Sequence, residues 1–213
     1  MGGQEPTDHC QRWIWFLDVL FGAIVALALE RYEPVLGQVW AKGLLATAIS
    51  VFVTLAVFSF VIYDIAVYHA LAKKFPYRLT RLGFGRFYLD LIMAFALYAL
   101  LVQTLRLDPN WVTILGIISG WHGAALIWHL IARREHGVRD DMWAAVAPHA
   151  MFVAMYWSIA WLATGAGRVL ELADETRTTF TLVSTGLAIL GVSLFRWKQV
   201  LMRVAPDASQ GAT

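Results

Sequence analysis

The stretch RWIWFLDVLFGAIVALALER, residues 12–31, places a single acid, Asp18, inside a run that is otherwise apolar. As a helix rising about 1.5 Å per residue, the run is long enough to cross the roughly 30 Å hydrocarbon core of a bilayer. A buried carboxylate there costs at least ~2.5–3.5 kcal/mol unless it is paired or hydrated, so Asp18 needs a partner or water. The run ends at Glu30 and Arg31 without an A-x-A-like cleavage site, which indicates a retained helix rather than a signal peptide.

The rest of the chain is also mostly apolar. Of its 213 residues, 59% are hydrophobic and 15% are charged, whereas a soluble domain carries about 25% charged residues. The charges fall into short clusters between long apolar runs that lack the alternation of barrel strands, which predicts an all-α polytopic membrane protein. We predict one domain over residues 1–204 and a disordered tail over 205–213. The predicted spanning helices cover residues 13–31, 43–70, 86–105, 110–132, 142–164 and 178–202.

The basic residues predict the orientation of the chain. Twelve of the 17 Lys and Arg residues fall on one side of the predicted helices, in the N-terminus, the loops after helices two and four, and the end of helix six. The remaining five lie on the other side among acidic residues. Because cytoplasmic loops carry an excess of Lys and Arg, we predict cytoplasmic termini and a multi-pass protein of the bacterial inner membrane.

Several ionisable side chains lie inside the predicted helices, most of them toward the cytoplasmic ends. Three carboxylates and up to four histidines at similar depth are better explained as one network than as separate accidents. For any one residue, the alternative is structural: a side chain that reaches the interface, pairs with a loop arginine or bonds a neighbouring helix. These residues are Asp18, Asp64, His69, Asp90, His122, His129 and His149.

Helix one carries a stripe of small or acidic residues at a spacing of four, namely Asp18, Gly22, Ala26 and Glu30. Such a stripe suits a tight packing seam between helices and equally suits the lining of a narrow path, and spacing alone leaves both open. Arg12 and Asp18 point to different sides of the helix, since six residues turn it through about 240° net. Each therefore needs partners from elsewhere.

Helix one resembles the first helix of the bacterial relatives of the lysosomal potassium channel. That helix reads Arg, three residues, Phe-Ser-Asp, and then an apolar run closed by an acid. Arg12, Phe16 and Asp18 stand at those intervals, Glu30 follows near the expected place, and His69 matches a histidine that ends the second helix. The resemblance implies a tetramer with a central pore lined by the first helix, a hydrophobic gate and no selectivity filter of backbone carbonyls.

Carried over position by position, the resemblance places the pore lining at Ala23 and Leu27, followed by Glu30. The chain departs from the pattern at Leu17, where the family has Ser, and at Ala66, where it has Trp. We expect a cation channel with potassium as its ion. It should be no enzyme, hold no cofactor or metal, and have lipid, monovalent cations and its own copies as partners, without nucleic acid. The expected structural and gating network is Arg12, Phe16, Asp18, Asp64, His69, Asp90 and His149, with His69 or His149 as the partner of Asp18, and Asp64 or Asp90 as the partner of Arg12.

Other classes of protein stay open. His122 and His129, seven residues apart, share one face of helix four, so a haem held between helices is conceivable with His69 or His149 on other helices. A non-catalytic accessory subunit is a second alternative. A proton-coupled transporter is a third, although we find no inverted repeat. The sequence has no phosphate loop, G-x-S-x-G or H-E-x-x-H motif, and its single cysteine, Cys10, excludes an internal disulfide.

Overall fold

A computed structural model describes residues 6–41, 43–106, 109–138, 142–166 and 173–204, and the predicted tail at 205–213 lies outside these ranges. The described residues form helices and connecting turns, with no strand among them. Six helices are each long and apolar enough to cross a bilayer, which confirms the predicted all-α, six-helix class. The helices are α1 (Pro6–Trp40), α2 (Leu44–Lys74), α3 (Arg81–Thr104), α4 (Trp111–His136), α5 (Met142–Trp161, continued by a π-helical turn at Leu162–Ala166) and α6 (Asp174–Val204).

Helix α3 begins five residues earlier than the hydropathy pattern predicts. Thr80 is its N-cap, and the Thr80 hydroxyl accepts a hydrogen bond of 3.0 Å from the backbone N–H of Gly83. A Cβ atom at position 83 would clash with the backbone carbonyl oxygen of Arg78, so only glycine allows this close approach of loop and helix. As a consequence, Arg86, predicted to begin the helix from the basic loop, lies more than a turn inside α3.

Helix α1 is also longer than predicted, because it continues through Glu30, Arg31 and Pro34 to Trp40. A helix can extend beyond its apolar run, because its hydrogen bonds join backbone groups of the helix itself and do not depend on apolar surroundings. Helix α4 likewise continues to His136, where Gly137 ends it in the left-handed conformation at φ 66°. The sequence pattern located these helices but placed their ends several residues short.

Helices α3, α4 and α5 pack as consecutive neighbours, while α2 packs against the last helix, α6. Gly186 lets α2 and α6 approach closely, since a Cβ atom there would lie 2.6 Å from the Phe52 ring. Further along both helices, the Arg196 guanidinium lies 5.4 Å from the centre of the Tyr63 ring. The two contacts advance in the same direction, so α2 and α6 run parallel. Helix α1 lies at the edge of the bundle, against α2 and α3.

The two ends of the bundle differ in chemistry. At one end, here named the basic end, Arg78 in the α2–α3 loop donates a hydrogen bond of 3.1 Å to the backbone carbonyl of Glu135 near the end of α4. At the opposite end, a cavity of about 230 Å³, the outer cavity, lies between α1, α2, α3 and α6. Polar residues that line it are Ser50, Thr104, Arg106, Thr178 and Thr179.

Candidate functional site

Asp18 meets His69 on the flank of the bundle where α1 packs against α2. The Asp18 Oδ1 and His69 Nε2 atoms are 3.0 Å apart, and their side chains are 39% and 40% exposed in the single subunit. His69 Nδ1 lies 2.8 Å from the backbone carbonyl oxygen of Ile65. Because a carbonyl only accepts, Nδ1 carries a proton, and a second proton on Nε2 would face the carboxylate. Of the two predicted partners of Asp18, the structure therefore places His69 beside it.

The residues that the resemblance assigns to a pore lie on the outside of the subunit. Phe16, Ala23, Leu27 and Glu30 are exposed and share one side of α1. This group is called the α1 outer face below. Phe16 also touches α3, with its ring centre 6.2 Å from that of Phe87. An apolar surface of this kind is suited to lipid or to a neighbouring subunit.

The inward side of α1 is packed into the core. Leu17, which replaces the family's Ser, is fully buried there, together with Phe21, Ile24 and Ala28. An apolar residue therefore suits position 17 in this bundle. Arg12 is exposed near the start of the helix.

Arg86 and Glu135 form a buried ion pair at the basic end. Arg86 Nη1 lies 2.6 Å from Glu135 Oε2, and the two side chains are 0% and 2% exposed. Arg86 Nη2 donates to the backbone carbonyl of Phe75 at 2.5 Å, and the Thr80 hydroxyl donates to Glu135 at 2.8 Å. The guanidinium also lies over the Trp128 ring, 4.6 Å from its centre. These contacts join the α2–α3 loop to α3 and α4. They do not follow from the sequence pattern, because the predicted third helix begins at residue 86 and leaves Arg86 at its end.

Asp90 lies one turn further along α3 than Arg86. Its Oδ2 accepts hydrogen bonds from the Tyr77 hydroxyl and, at 3.1 Å, from the Trp128 indole N–H. Tyr77 lies in the α2–α3 loop, where burial, followed by the neighbouring Asp90 carboxylate, raises the pKa of its phenol. Tyr77 therefore stays protonated and keeps donating to Asp90. The carboxylate is thus held by the loop and by α4 together.

Three histidines meet midway along α4 and α5. His122 and His149 are buried, and their Nδ1 atoms are 3.2 Å apart, so one ring donates a hydrogen bond to the other. The His129 ring centre lies 5.3 Å from that of His149. On its other side, His122 stacks on Tyr156, with ring centres 5.8 Å apart. Since His122 and His149 bond directly, no room remains between them for an iron and its porphyrin, and this pair does not support the haem alternative.

A small cavity, here named the inner cavity, adjoins the histidines and lies among α1, α2, α3, α4 and α6. Its volume is about 30 Å³, enough for a water molecule. Asp64, Asp90, His129 and Arg196 all line it. The Arg196 guanidinium is buried between the rings of Tyr63 and Trp121, and among the described residues its Nη1 atom has no hydrogen-bond partner.

The expected single network is therefore divided into two groups. Asp18 and His69 lie on the flank of α1, whereas Asp64, Asp90 and His129 surround the inner cavity, with His122 and His149 adjoining. Asp64 and Asp90, the predicted partners of Arg12, both lie in the second group. Among the residues that the structure describes, no three His, Cys, Asp or Glu side chains are placed to hold one metal ion.

No family model, curated protein or solved structure matches this chain. The features that bear on function are the α1 outer face, the buried polar groups and the resemblance of the first helix.

Proposed function

We propose that this protein is a cation channel subunit, with potassium as its ion, and that α1 of each subunit lines a shared pore. The observation that carries the proposal is the α1 outer face, which is apolar through Ala23 and Leu27 and ends in an acid at Glu30. These are the positions that the resemblance to the lysosomal channel's bacterial relatives assigns to the pore. The apolar turns would form the constriction, and the glutamates would attract cations at its mouth.

The pore requires several copies of the chain. Within one subunit, the inward side of α1 is filled by Leu17, Phe21 and Ile24, which leaves no continuous path for a potassium ion between α1 and its own bundle. A closed ring of identical subunits would instead enclose a path between their α1 outer faces. We propose a homotetramer, as the family resemblance implies. We further propose cytoplasmic termini and a place in the bacterial inner membrane, on the distribution of basic residues.

Asp18 has a positioning role in this proposal. Its contact with His69 joins α1 to α2 near the basic end. The next turns of α1, through Ala23 and Leu27, are then free to line the pore. Lipid would bathe the remaining exposed sides of the bundle.

Two leucines on α1 provide a matched test. Leu27 and Leu29 are 47% and 55% exposed, but they point about 160° apart because they are two residues apart on the helix. We expect Leu27→Asn to change single-channel conductance severalfold in planar bilayers under potassium and sodium gradients, and Leu29→Asn to leave it unchanged. If the two variants change the conductance equally, α1 does not line the pore. If the native protein carries no current at any voltage, the protein is not a channel.

The mass of the protein in mild detergent tests the assembly. We expect the mass of four chains after correction for bound detergent. A monomer that is stable under the same conditions and still conducts cations would exclude a pore shared between subunits.

A further inference from the structure

The interior of each subunit holds a second set of polar groups, away from the α1 outer face. Toward the basic end, this set consists of the inner cavity and the chain of histidines. The inner cavity brings Asp64 and Asp90 together with His129 and Arg196. A buried guanidinium nitrogen without a partner, beside a cavity that fits a water molecule, indicates that water occupies the cavity.

From the inner cavity, the histidines extend toward the middle of the bundle. His129 lies against His149, and His149 bonds His122. The Nε2 atom of His122 is buried and has no hydrogen-bond partner among the described residues, and the same holds for the hydroxyl of Tyr156 stacked on it. An imidazole can accept a proton on one nitrogen and release a proton from the other, so three rings in sequence form a relay.

Toward the opposite end, hydroxyl groups continue the polar set. Thr54 of α2 and Thr185 of α6 are buried, and neither Oγ1 atom has a hydrogen-bond partner within the described ranges. About one turn further out on α2, Ser50 lines the outer cavity, where Thr178 and Thr179 of α6 also lie. The outer cavity, at about 230 Å³, is large enough for several water molecules.

An apolar layer separates the two polar regions. On α2, Val57, Phe60 and Val61 lie between Thr54 and Asp64, and all three are fully buried. On α6, Ile189 lies between Thr185 and Arg196 and is also fully buried. The His122 ring lies 5.9 Å from the Phe60 ring, so the relay ends directly at this layer.

We propose that each subunit contains a proton path of its own, which runs from the outer cavity through the Phe60 layer to the histidines and the inner cavity. Water that crosses the Phe60 layer transiently carries a proton from the outer cavity to His122, and His149 and His129 pass a proton on to the carboxylate of Asp64. Water in the inner cavity then removes it toward the basic end. The charge balances along the path and no co-reactant is consumed, but each imidazole ends with its proton on the opposite nitrogen and has to exchange the two positions before the next transfer. The path is separate from the α1 pore and does not depend on it.

The chemistry of the path selects protons over metal cations. The inner cavity fits a water molecule, whereas a hydrated potassium ion needs several. Arg196 places a fixed positive charge on the cavity wall. It repels metal cations, whereas a proton is neutralised when a side chain there binds it. Asp64 faces the charged or titratable groups Arg196 of α6, Asp90 of α3 and His129 of α4, while the side chain that α1 contributes to the cavity is Phe21.

Proton flux into liposomes tests the proposal. The full-length protein is reconstituted with a pH-sensitive dye inside, and valinomycin with potassium sets the membrane potential so that a potassium pore adds nothing to the signal. We expect Phe60→Ala to raise proton flux by an order of magnitude or more, because a smaller residue lets water cross the apolar layer. The matched control is Phe95→Ala, since Phe95 is 61% exposed on the outside of α3.

Loss of a relay group should have the opposite effect. We expect Asp64→Asn, added to Phe60→Ala, to reduce the flux to that of empty liposomes, while Leu27→Asn leaves it unchanged. Equal flux from Phe60→Ala and Phe95→Ala would show a non-specific leak and overturn the path, as would an undiminished flux with Asp64→Asn. Abolition of the flux by Leu27→Asn would assign protons to the α1 pore instead. Flux is compared only among variants that keep the helix content and elution volume of the native protein, so that neither a leak nor a loss of flux caused by misfolding is counted.

Discussion

Removal of one partner from the Arg86–Glu135 ion pair should strongly destabilise the protein. The two side chains are 0% and 2% exposed and lie 2.6 Å apart, so Arg86→Met leaves Glu135 as a buried charge without its cation. Breaking such a pair costs about 3–5 kcal/mol. The double variant Arg86→Met/Glu135→Met removes both charges. It still loses the hydrogen bonds to Phe75 and from Thr80, at about 1 kcal/mol each, so we expect it to recover part of the loss.

The measurement is the free energy of unfolding in mixed micelles, followed by helix content as denaturing detergent is added. Arg81→Met is the matched control, because Arg81 begins the same helix and is exposed; we expect it to lie within about 0.5 kcal/mol of the native protein. A loss below about 1 kcal/mol in Arg86→Met, or an equal loss in Arg81→Met, would show that the pair does not hold the α2–α3 loop.

Three further predictions concern local features. Gly83→Ala should lower the free energy of unfolding by roughly 1–3 kcal/mol, because the added Cβ clashes with the preceding loop. Gly85→Ala is the control and should cost nothing, since its Cβ meets open space; equal melting temperatures of the two variants would contradict the close approach at Gly83. Asp18→Asn and His69→Gln, made singly and together, should show a coupling of roughly 0.2–1 kcal/mol in the free energy of unfolding, because the pair is partly exposed. If Asp18→Asn has normal stability but loses the preference for cations, Asp18 lines the pore instead. A cysteine at Leu79, in a variant without the native cysteine, should react with an impermeant maleimide from the cytoplasm alone, and labelling from outside would reverse the proposed orientation.

Hydropathy predicts the helices of this chain well, because spanning length and apolar composition are local properties of the sequence. The ends of the helices are harder to predict, since they depend on caps rather than on hydropathy. Thr80 is an ordinary N-cap residue, and its position before the periodic residues of α3 is a signal for the start of a helix. A helix that begins there contains Arg86 in its second turn, where the guanidinium requires a buried partner. The identity of that partner, Glu135, follows only from the packing of α4 beside α3.

The histidines illustrate the same limit. A spacing of seven places His122 and His129 on one face of α4, and depth suggests that His149 lies nearby. Depth alone cannot distinguish a partner on one neighbouring helix from a partner on another, so the sequence offers both His69 and His149 as partners of Asp18. The order in which helices pack around the bundle decides the question, and here α2 supplies His69 beside α1 while α5 turns His149 toward α4.

The packing of α2 against α6 has a consequence for biosynthesis. Asp64 enters the membrane with the second helix, but Arg196, across the inner cavity from it, is synthesised roughly 130 residues later. At about 5–20 residues per second, the ribosome needs roughly 7–26 s to bridge that interval. Throughout it, the polar face of α2 lacks its final neighbour and must be sheltered by the helices already inserted or by the insertion machinery. Chains terminated before α6 would keep that face uncovered, so we expect them to be degraded faster than chains that include α6.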